Sequence, residues 1–224
     1  MKTSRLPAAC QALAALIFSS ATIVQAQGET RLFRDFRYDT PIAQFGDKTG
    51  FYDCSKDLGY TARCADDVKF LDHTFETQIL TFVNDRLRSV ELVAPAKPEV
   101  YASLMKVLGE SFALIMLQSG DKRMDLIELH KKQNATNFKA RLAEFESAGL
   151  NREEITYVFF ERPLEELRKF ANVVEAIEKS PATMREADIT IAKVEGSAYI
   201  GVSFSLPRRA LADMQNAPVK REKF

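Results

Sequence analysis

Four residues close together in the chain carry side chains suited to acid–base work: Asp66, Asp67, Asp72 and His73. Neighbouring carboxylates share a proton or hold a hard cation, and an imidazole acts as a base near neutral pH, so this group is the candidate catalytic set of a small hydrolase. The competing reading is a charged, solvated turn that blunts a sheet edge, and it takes precedence because no nucleophile stands at a motif spacing. His130 lies beside Leu126, Ile127 and Leu129 and reads as a helix-surface residue. Glu161, Arg162, Glu165, Glu166, Arg168 and Lys169 surround a helix start, where acids suit the macrodipole and Glu165 with Lys169 forms an i, i+4 pair. Tyr157, Phe159 and Phe160 offer a stacking platform, but aromatic residues on an apolar strand are ordinarily core. Asn134-Ala135-Thr136 has the form of a glycosylation sequon.

Cys54 and Cys64 are the second pair able to do chemistry, with nine residues between them. A zinc site needs further ligands at short spacing, and the chain has only His73 and His130, without H-E-x-x-H or a second cysteine pair. A redox pair ordinarily shows C-x-x-C at a helix start, where the dipole lowers a thiol pKa. A structural disulfide is the expectation, and closing so short a loop is worth about 3 kcal/mol by chain entropy. The chain has no G-x-S-x-G, no G-x-x-x-x-G-K-[ST] and no G-x-G-x-x-G, so no cofactor or metal is assigned.

The disulfide expectation depends on compartment, and the first 26 residues indicate one. Lys2 and Arg5 precede an apolar middle from Ala12 to Val24, which ends in Val24-Gln25-Ala26, the layout of a cleaved secretory signal. Cys10 departs with it. Leu6-Pro7-Ala8-Ala9-Cys10 differs from the lipid-attachment box of bacterial lipoproteins, because its cysteine precedes the apolar middle. The remaining cysteines form an even pair in an oxidising compartment, and the localisation expected is periplasmic or secreted. No later apolar segment reaches the roughly 20 residues of a membrane span, so a soluble mature product is expected. Removing the signal leaves 29 basic against 31 acidic residues, a balance with no broad attraction for nucleic acid or anionic lipid. The basic ending VKREKF reads as a frayed tail.

Beyond 1–26, residues 27–50 read as an arm that docks through Phe33, Phe36, Tyr38 and Phe45, and 51–224 as an α+β domain divisible into halves at 51–118 and 154–206. VKFL, FETQILTFV and LRSVELVA, separated by Asp72-His73 and Asn84-Asp85, predict a three-stranded meander. Pro98 opens a helix carrying Val100, Leu104, Val107 and Leu108, and FALIML predicts a buried strand. Helices are expected over 122–132 and 137–148, the second with a Phe138, Leu142, Phe145 stripe and Gly149 as its stop. EITYVFFE predicts a central strand, followed by one helix from Pro163 to Ser180 and a hairpin about Glu195-Gly196-Ser197. The order is therefore about β-β-β-α-β-α-α-β-α-β-β, an antiparallel or mixed sheet with helices packed mainly on one face.

Missing catalytic motifs and near-neutral charge favour a non-catalytic binding or interaction module of the bacterial envelope, meeting a protein partner or small ligand at a sheet edge or cleft. The alternatives are the Asp/His hydrolase and a carrier of an apolar small ligand.

Overall fold

A computed structural model describes residues 30–216. The expected signal at 1–26, with Cys10, and the basic ending lie outside the described residues. The arm forms a short ribbon, β1 (Arg31–Phe33) with β2 (Phe36–Arg37). Leu32 and Phe33 are buried, and the Phe33 ring stacks on Phe204 with centroids 4.9 Å apart.

β3 (Tyr52–Asp53) and the single turn α1 (Ser55–Leu58) precede the meander β4 (Ala62–Phe70), β5 (His73–Val83) and β6 (Arg86–Pro95). Asn84 and Asp85 take φ 51° and 58° between β5 and β6, the left-handed backbone that a two-residue hairpin requires. The earlier turn is Leu71-Asp72, one residue ahead of the expected Asp72-His73, because His73 pairs with Phe70 and so belongs to β5.

α2 (Pro98–Ser111) buries Val100, Leu104 and Leu108, and β7 (Ala113–Ser119) follows. The expected helix over 122–132 is corrected at its start. Lys122–Asp125 is strand β8, paired with β7 from Ser119↔Lys122 to Met116↔Asp125, and α3 covers only Leu126–Lys132. α4 (Ala135–Leu150) runs past Gly149, which is buried inside it. A Cβ at Gly149 would lie 2.7 Å from Ile155 Cδ1, so this glycine allows close approach of helix and sheet and does not stop the helix.

After β9 (Glu154–Phe160) the helix expected from Pro163 is two pieces, α5 (Leu164–Leu167) and α6 (Val173–Lys179). Asn172 separates them: its side chain accepts from Glu175 N and starts a new helix. β10 (Glu186–Val194) and β11 (Ser197–Ser205) make the expected hairpin, with Glu195 and Gly196 at φ 50° and 83°, and α7 (Pro207–Asn216) ends the described chain.

The fold is α+β. Nine strands form one antiparallel sheet in the order β3-β4-β5-β6-β11-β10-β9-β7-β8, so β6 and β11 join the two halves of the sequence directly. One face carries the main core, with Val90, Leu92 and Ala94 of β6 opposite Phe204, Val202 and Ile200 of β11. The two long helices, α2 and α4, and the arm cover it. The short α5 and α6 region packs Leu167, Val173 and Ala176 on Val158 and Phe160 of the other face. Toward the β4 edge that face carries Cys54, Cys64, Ala62 and Ile79. The Cys54 and Cys64 Sγ atoms are 2.04 Å apart, at disulfide distance.

Candidate functional site

The four residues of the expected acid–base group lie along the β4–β5 hairpin. Asp66, Asp67 and Asp72 are exposed. Asp66 accepts a 2.8 Å hydrogen bond from the Tyr52 hydroxyl, and Asp67, at φ 55°, lies between the pairs Asp66↔Thr77 and Val68↔Phe75 with the register kept. Asp72 occupies the turn, while His73 Nε2 lies 3.0 Å from Ser103 Oγ and ties the hairpin to α2. None of the four lines the clefts described next, and the described residues contain no group of three or more His, Cys, Asp or Glu side chains placed to hold a metal.

A concavity forms instead where four segments meet at the start of β7 and the end of β9. The end of α2 contributes Phe112, α3 contributes Leu126 and Ile127, α4 contributes Phe138 and Leu142, and Leu164 closes the wall from α5, around a cleft of about 810 Å3. Local chemistry positions each wall. Asp125 Oδ1 accepts from Glu128 N at 2.9 Å and caps α3, while its Oδ2 accepts from Val173 N at 2.7 Å at the start of α6. One carboxylate thus fixes two helix starts, where unpaired N–H groups and the positive dipole end favour it. Asn134, the sequon residue, caps α4 by accepting from Asn137 N at 2.9 Å. Glu146 holds α4 to the sheet: Tyr157 donates to it at 2.7 Å and Tyr101 of α2 at 3.4 Å. Burial, then the bond to this carboxylate, raise the Tyr157 hydroxyl above its ordinary pKa, so it serves as a neutral donor.

The charged residues of the cleft are mostly basic, Arg162, Arg168 and Lys139 against Glu110, and the exposed His130 also lines it. Arg162 pairs with Glu166 at 2.8 Å. Arg168 reaches the exposed Glu165 only at 3.5 Å, and its enclosed Nε has no acceptor among the described residues. His130 stands edge-on to Phe138, ring centroids 5.9 Å apart. A smaller cleft of about 200 Å3 lies beside it, lined by Lys122, Arg141, Glu144, Phe145 and Arg152 among others.

A third locus is an acidic row on the face that carries the cysteines. Pairing places Ile79, Glu91, Ser203, Asp188, Val158 and Met116 side by side across β5, β6, β11, β10, β9 and β7. Glu186, two residues from Asp188, points to the same face and accepts from Ser205 Oγ at 3.2 Å. Gly201 leaves room for Glu91, since a Cβ there would lie 2.9 Å from Glu91 Oε1. Burial raises all three carboxyl pKa values, Glu186 to about 7, against the Ser205 hydrogen bond. For Asp188 burial is the largest cause, the negative charge of Glu186 adds to it, and its Oδ1 is enclosed without a partner. All three therefore give up a proton less readily in the fold than in water, because burial penalises the charged form.

Sequence reasoning placed Phe138 and Leu142 on one stripe without foreseeing the cleft, and it missed the acidic row. Its signal was present as acids at alternating positions in otherwise apolar strands, V-E-L-V at 90–93 and E-A-D-I at 186–189. No family model matches this chain, and no curated protein or solved structure matches it. Its function rests on the geometry.

Proposed function

We propose that this chain is an exported, non-catalytic binding protein that holds a small apolar ligand in the cleft between α2, α3, α4 and α5. The observation that carries the reading is the cleft itself, about 810 Å3 with a wall of Phe112, Leu114, Leu126, Phe138, Leu142 and Leu164. That size and lining are usual for small-molecule sites. Apolar wall left in water costs about 25 cal/mol per Å2, so a molecule that covers it gains free energy without forming any polar bond.

Export is supported by the layout of the first 26 residues and by a cysteine pair at bonding distance, a state that persists in oxidising compartments. Among the described residues no helix is long and apolar enough to cross a membrane. The hydrolase alternative gains nothing from the cleft, since Asp66, Asp67, Asp72 and His73 are all absent from its wall. Capture of a partner's strand at a sheet edge is opposed by local features. β3 covers β4 only at Arg63 and Cys64, but the rest of that edge carries the exposed charges of Asp66, Asp67 and Lys69, which oppose strand addition.

The test is titration with N-phenyl-1-naphthylamine, an uncharged probe that fluoresces in apolar surroundings. Saturable one-to-one binding is expected, lost in Leu142→Trp and in the surface-accessible Ala135→Trp, both of which fill the cleft. Equal binding by both folded variants, or none by the wild type, would refute the assignment.

A further inference from the structure

We infer that the ligand is an amphiphile with one anionic head, a carboxylate or phosphate on an apolar tail, its head held by Arg168 and Lys139 and its tail lying on Phe138, Leu142 and Leu114. The inference rests on the cleft being the binding site and adds the chemical class of its occupant.

The two arginines of the cleft differ in how far their donors are used. Arg162 is satisfied by Glu166 at 2.8 Å. Arg168 is not: its contact to Glu165 is 3.5 Å long, Glu165 is 81% exposed, and the Arg168 Nε is shut away from solvent without an acceptor. A guanidinium whose outer N–H groups are held only by one long, solvent-screened contact keeps them for an incoming acceptor. A carboxylate or phosphate accepts two parallel hydrogen bonds from the two terminal Nη groups of a guanidinium, and here it would displace the long Nη1 contact to Glu165. Lys139, exposed on α4, lines the same cleft, and its ammonium group makes no ion pair or hydrogen bond to another described residue.

Charge complementarity selects the sign of the head. Arg162 is neutralised by Glu166, so the positive charge left to a ligand comes from Lys139 and from Arg168, whose contact to the exposed Glu165 is long; Glu110 is the acid that lines the cleft, and an anionic head complements this balance better than a cationic one. Apart from Ser111 and His130 the remaining wall is apolar, which a polar ligand without a tail would leave uncovered.

The experiment compares three probes with one twelve-carbon chain, below their aggregation limits: dodecanoate, dodecyl phosphate and uncharged dodecanol. Each displaces N-phenyl-1-naphthylamine from the wild type and from Arg168→Gln/Lys139→Gln, whose thermal midpoint is checked in parallel. At least one anionic probe is expected to bind on the order of ten- to a hundredfold more tightly than dodecanol. The double variant should lose that advantage while binding dodecanol as the wild type does, and whether carboxylate or phosphate leads identifies the head. Equal affinity for all three, or an anion preference that survives the double variant, would overturn the head-group assignment and leave the apolar site standing. No binding of any probe would overturn both.

Discussion

Glu186 and Asp188 illustrate how a residue can be placed for the fold and yet set its response to solution conditions. In the unfolded chain Glu186 titrates near the ordinary 4.5, whereas in the fold it holds its proton to about 7. Between those values the folded state binds more protons, so stability falls as pH rises. Below the window both states are protonated and the penalty is absent; above it both are ionised and the penalty is complete. Asp188 shifts in the same direction. Urea midpoints measured from pH 5.5 to 8 should decline in the wild type, by on the order of 2 kcal/mol in stability. Glu186→Gln/Asp188→Asn should flatten the profile and stand above the wild type at pH 8; a parallel decline would show that other groups govern it. Gly149 is the other single residue on which packing turns. Gly149→Ala should destabilise by roughly 1–3 kcal/mol in urea, because its Cβ would press on Ile155 and the helix must move away.

Elements declared themselves in sequence to the extent that local chemistry decides them. The β5–β6 and β10–β11 hairpins were legible because Asn84-Asp85 and Glu195-Gly196 accept a left-handed backbone between alternating strands. β8 was not, because Lys122-Arg123-Met124-Asp125 has no strand pattern of its own and becomes a strand through pairing with β7. The break between α5 and α6 was hidden by helical spacing that runs on through Leu167, Ala171 and Val174, although Asn172 starts a new helix by accepting from Glu175 N. The cleft was the least legible, since its wall joins segments from Gly109 to Arg168 that only tertiary packing brings together. Asp125 is the element-scale hinge of that packing, accepting from Glu128 N and Val173 N at once. Asp125→Ala should lower stability by about 2 kcal/mol, one ordinary cap for each helix. Asp125→Asn, which keeps one acceptor oxygen, should lose less. Equal losses would mean that the second helix start gains nothing from the carboxylate.

Across the whole molecule, strand order separates two tasks. The cysteine pair sits beside β4 near one end of the sheet, and the cleft adjoins β7 and β9 toward the other. Cys54→Ser/Cys64→Ser should therefore reduce stability, by up to about 3 kcal/mol from loop entropy, while the folded variant keeps wild-type affinity for N-phenyl-1-naphthylamine. A change in affinity beyond threefold in the folded variant would show that the two ends communicate.

The most direct test of the ligand site is methyl NMR of the selectively labelled protein during addition of dodecanoate. Saturable shifts are expected at Leu114, Leu126, Ile127, Leu142 and Leu164, with Ile79 and Val93 of the far strands unmoved. Shifts that map to Ile79, Val93 and the acidic face, or no shifts at all, would contradict the assignment of that site.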